Sequence, residues 1–116
     1  MDHSLSGKWI EYYVTGDKEL FWAWEALDDL VRHTPEQAWQ HILNVLAETN
    51  SEYVLSNLAA GPLEDLLVLH GPAFIERIEI ASRQMPEMAK LMAGVWRNNM
   101  SDSVWERVHA IQTKYS

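Results

Sequence analysis

Glu64 is the acid in this chain best placed to do chemistry. It stands among Leu63, Leu66, Leu67, Val68 and Leu69, in a segment apolar on nearly every side. Apolar surroundings push a carboxyl group toward its neutral form and fit it for general acid or base work. His70 closes the same segment, and together the two form the candidate catalytic pair. Their separation of six residues does not share one helix face. Each also has a plainer reading. With Gly61 as an N-cap, Glu64 reaches back to the Gly61 N–H, and His70 sits beside the negative end of its helix. Asp29 and His33, four residues apart on one helix face, are the candidate metal ligands. Gln37 and His41 share that spacing but are a poor ligand pair. A metal needs three or four ligands, and neither HExxH nor any cysteine is present. No glycine-rich phosphate loop or nucleophile elbow appears, so no cofactor is expected.

Binding residues offer a second line of argument. The chain has six tryptophans. Trp9, Trp24, Trp39, Trp96 and Trp105 fall on or beside apolar stripes and are expected in the core. Trp22 and Trp24 project about 200° apart on a helix, so Trp22 is the candidate exposed anchor. The net charge is -8, from 17 acids against nine bases. From His33 to Glu76 there is no Lys or Arg, and that stretch holds Glu36, Glu48, Glu52, Glu64, Asp65 and Glu76. A continuous negative face there would attract a basic partner and would repel nucleic acid. Trp22, Glu36, Glu48, Glu52 and Asp65 are the candidate partner-binding residues.

These residues must be positioned by helices. Apolar residues recur at spacings of three and four throughout. The pattern predicts helices over about 4–14, 18–33, 35–48, 52–60, 63–70, 72–83, 86–98 and 104–115. Thr34-Pro35-Glu36-Gln37 reads as an N-cap with a capping box. Gly61-Pro62 and Gly71-Pro72 read as two helix breaks. The expectation is a single all-α domain over residues 1–116. Its seven or eight short helices would pack as an irregular bundle or a small right-handed array of helix pairs. At 116 residues the chain can bury a core without disulfides. No continuous apolar run approaches the roughly 20 residues of a membrane span, and no signal segment opens the chain. A cytoplasmic protein is expected, with no membrane contact.

The segment Leu58 to Gly71 carries a resemblance. With Trp9-Ile10, Pro35-Glu36-Gln37-Ala38-Trp39, the AAGPLEDLL block at Ala59 to Leu67, and Val95-Trp96, the chain resembles a family of small, all-helical bacterial proteins of unknown function. The resemblance implies an all-helical intracellular protein and carries no activity.

The leading functional expectation is a non-enzymatic, acidic protein-binding module. It would be an inhibitor or immunity-type protein that engages a basic, nucleic-acid-handling partner. The alternative from another class is a small hydrolase-like or metal-assisted enzyme centred on Glu64 and His70. A third reading is a structural subunit that self-associates, with a homodimer as its product.

Overall fold

The computed structural model describes residues 3–115. It is all-α, with no strand and six helices among the described residues. Helix α1 is His3–Thr15. After the turn at Gly16, Asp17 caps a 3-10 turn at Lys18–Leu20 by accepting the Glu19 N–H, and this turn leads into α2, Phe21–His33. Helix α3 is Pro35–Glu48. Helix α4 runs over Glu52–Gln84, with a kink at His70. Two short pieces complete the chain, α5 at Pro86–Met92 and α6 at Asp102–Lys114.

The count of six corrects the expected seven or eight, and the correction lies in α4. Gly61-Pro62 does not end a helix, and Gly71-Pro72 marks a kink within one. Pro62 falls in a π turn, Ala59–Leu63, where the Glu64 N–H reaches back to the carbonyl oxygen of Ala59. Proline lacks an N–H and crowds the carbonyl four residues back; widening the helix by one residue makes room for its ring. Pro72 is accommodated differently. His70 leaves helical geometry at φ -136° and ψ 25°, and the helix bends there and resumes. Neither Gly61 nor Gly71 takes a positive φ. Burial explains why the helix survives both prolines. Leu58, Leu63, Leu66, Leu67, Phe74, Ile75 and Ile78 are all buried along it, and unwinding either point would expose that stripe. By length and composition α4 could cross a membrane, yet 56% of its most apolar 18-residue window is buried inside the protein. It is the helix around which the others pack.

Helices α1, α2 and α3 pack on one another through Trp9, Ala23, Leu27, Val31, Ala38 and Ile42. The second half of α4 packs on α5 and α6. Gly71 sets the distance to α6. A Cβ there would lie 2.9 Å from both methyl carbons of Val104. Gly71→Ala should therefore cost about 1–3 kcal/mol by overpacking. Val104→Ala in the same chain should recover part of that loss in a urea melt, since it removes the colliding methyls.

Three smaller expectations also change. Thr34 precedes α3 at φ -141° and ψ 65° but makes no side-chain cap hydrogen bond. In the helix expected over 52–60, whose apolar side would include Tyr53, that ring is 63% exposed and Val54 is buried in its place. The helix expected over 86–98 stops at Met92. Residues 93–101 then form a loop, and Trp96 on that loop is 75% exposed instead of buried. The loop that follows is tied to α4 through Glu64.

Candidate functional site

Glu64 follows the π turn and is buried at 8% exposure. It does not cap Gly61, because no helix begins there. Its two carboxyl oxygens face the 93–101 loop. One accepts the backbone N–H of Trp96 at 2.9 Å, and the other accepts the side-chain amide of Asn98 at 3.2 Å. The π turn matters here, since the extra residue rotates everything after it by most of a helical step. Around this anchor the loop is closely held. Val95 and Met100 are buried on either side of Trp96. Gln112 of α6 donates to the carbonyls of Met92 and Val95 at 2.9 and 2.8 Å. Asn98 adopts the left-handed conformation at φ 51°, which asparagine tolerates better than most residues. Arg97 pairs with Asp102 at the start of α6. The outcome is a fixed backbone with an indole ring projecting into solvent.

Gly94 of the same loop also lines a cleft of about 230 Å³ between the end of α3, the start of α4 and α5. Leu46, Leu55, Ala59 and Leu91 form its apolar part, and Thr49, Asn50 and Ser56 its neutral polar part. Glu52 brings a carboxylate from the α4 side, and Glu87 and Lys90 bring charges from α5. None of these three charged groups forms an ion pair among the described residues.

The family model of the family of unknown function DUF6869 matches residues 12–116. The chain belongs to this family. No curated protein and no solved structure matches it. The matched span of this DUF6869 chain includes the π turn, Glu64 and the Trp96 loop.

The other candidates lie elsewhere. His70 is 39 positions from its partner, the carbonyl of Val31, which its Nε2 meets at 2.8 Å. Glu64 and His70 are thus each engaged in a different structural bond, and no hydrogen bond joins them among the described residues. Asp29 and His33 approach to 3.8 Å, both more than two-thirds exposed. No group of three possible metal ligands occurs among the described residues. Trp22 is half exposed at 49%.

The acids of the base-free stretch do not form one continuous face. Glu36 is held by Arg77 of α4 in a two-point bridge at 2.8 and 2.7 Å, which also draws the Glu36 carboxyl below its ordinary range. Glu48 lies at the opposite end of α3, roughly 18 Å away along the axis. Asp65 sits among other charges. Partial burial and the neighbouring Asp28 push its carboxyl up, Arg32 pulls it down, and Glu64 adds a smaller upward push. Only Glu52, of the expected partner-binding acids, lines the cleft.

Two further arrangements were invisible in the sequence. Ser6 and His41 meet at 2.9 Å across 35 positions. A hydroxyl on a ring nitrogen is the geometry of an activated nucleophile, but both residues are buried, at 1% and 4% exposure. The pair ties α1 to α3 and is closed to a substrate. The second is a run of rings along α1, α2 and α4. Tyr53 meets Tyr13, Tyr13 meets Tyr12, Tyr12 meets Phe21, and Phe21 stacks on Trp24 at 5.3 Å and 9°. No single helix carries this run, so no periodicity could reveal it.

Proposed function

We propose that the protein is a non-enzymatic binding module that grips a basic segment of another protein with Trp96 and the adjoining cleft. The observation that carries this reading is the pinned loop. A buried carboxyl group fixes the backbone under a ring that is 75% exposed. Exposing so large an apolar surface gains nothing for folding. Tryptophan is enriched among residues that dominate binding energy, and a loop ordered in advance loses little entropy on association. Glu52 and Glu87, which line the cleft, favour a cationic partner. The chain's net charge of -8 extends that preference to long range. An inhibitor or immunity-type role, blocking the phosphate site of a nucleic-acid-handling protein inside the cell, is the form of binding this charge fits best.

The test begins with a partner recovered from native cells by the tagged wild-type chain. Trp96→Ala should weaken the purified complex by about 2 kcal/mol, roughly 30-fold in Kd by calorimetry, with little change in melting temperature. Reversing Glu48, Glu52 and Glu87 to lysine should slow association and flatten its salt dependence. A partner that binds both variants with wild-type affinity and rate would refute the reading.

A further inference from the structure

We infer that the cleft lined by Gly94 of the Trp96 loop is a receptor for one arginine side chain of the partner; this rests on the binding role proposed above and specifies its chemistry. Size comes first. At about 230 Å³ the cleft falls below the roughly 300–1,000 Å³ of sites for cofactors and drug-sized ligands. It exceeds the roughly 150 Å³ of a benzene-sized cavity. One long side chain fits; a nucleotide or flavin does not. Shape and polarity then narrow the choice. Leu46, Leu55, Ala59 and Leu91 offer an apolar bed, suited to the methylene stem of a long cationic side chain. Glu52 of α4 and Glu87 of α5 both line it, so acids reach the cleft from two different helices. Neither has an ion-pair partner among the described residues. A planar guanidinium with five N–H donors can satisfy acceptors on two sides, whereas an ammonium is a compact and strongly hydrated point charge. Thr49 and Ser56 add hydroxyls on the same lining. Lys90 is the one opposing charge, and it leaves the cleft at a net charge of -1 from two acids and one base.

Lys90 makes the inference testable by sign. For a cationic occupant, Glu52→Gln must weaken binding and Lys90→Met must strengthen it. For an anionic occupant both signs reverse, and for a purely apolar one neither matters. The experiment titrates the full-length, 15N-labelled chain with three capped pentapeptides, Gly-Gly-X-Gly-Gly, where X is arginine, norleucine or glutamate. The arginine peptide should shift the amide signals of Leu55, Ser56, Leu91 and Gly94 with a Kd on the order of millimolar. The other two peptides should bind at least about fivefold more weakly. Glu52→Gln should weaken the arginine peptide about three- to fivefold, and Lys90→Met should tighten it by a similar factor, as expected for one charge removed near the surface. Equal binding of norleucine, equal binding of glutamate, or the same sign for both variants would overturn the inference. A null arginine titration in a chain whose partner is still lost on Trp96→Ala would overturn the arginine receptor alone and leave the binding role standing.

Discussion

Glu64→Ala is expected to lower the stability of this protein by about 2–4 kcal/mol, measured by urea unfolding. Each hydrogen bond to a charged acceptor contributes about 1.5–3 kcal/mol, and the truncation leaves the Trp96 N–H and the Asn98 amide without one. Water entering the half-open loop offsets part of that loss, which sets the upper bound below the sum. Glu64→Gln should fall between wild type and Glu64→Ala. Its amide oxygen still accepts from Trp96, while its NH2 group faces the Asn98 amide and forces that side chain to turn over. A role confined to capping Gly61 would instead predict a nearly silent glutamine variant and about 1 kcal/mol for alanine.

Trp9→Ala and Trp96→Ala should lie at opposite extremes. Trp9 is 1% exposed and packs on Tyr13 at 4.7 Å. Its removal should cost about 3–5 kcal/mol, as for other buried aromatic residues. Trp96→Ala should change stability by less than about 0.5 kcal/mol, because the ring is 75% exposed and its backbone bond to Glu64 survives truncation. Thermal and chemical melts of the two variants check both values. A large loss at Trp96 would mean that the ring packs on the protein and is not presented to a partner.

The contrast between these tryptophans marks where the sequence was legible. Trp9 and Trp96 both fit helical apolar patterns, and local spacing treats them alike. Trp96 leaves the pattern only because α5 stops at Met92, and the loop that follows depends on Glu64, 32 positions earlier. Glu64 itself stood out as an acid on a buried helix. Its partner could not be found from spacing, because the bond joins two elements that meet only after folding. The all-helical class, the turn at Gly16-Asp17 and the start of α3 at Pro35 were readable from local signals. The Gly-Pro pairs misled for the opposite reason. Proline is a strong local breaker, yet the buried stripe of α4 carries the helix through Pro62 as a π turn, and at Pro72 the signal survives only as the kink at His70. Charge was legible in amount but not in arrangement: the Arg77 bridge to Glu36 spans 41 positions and neutralises an acid that the base-free stretch presented as free.

Glu64 fixes the backbone beneath an exposed indole, and amide hydrogen exchange at Trp96 reads that restraint at its own N–H. The Trp96 N–H should exchange about 100-fold or more slowly than an unprotected loop amide, although its own side chain is in water, and Glu64→Ala should abolish this protection while the amides of Leu66 and Leu67 in α4 stay protected. A Trp96 amide that exchanges at the unprotected rate in the wild-type chain would contradict it.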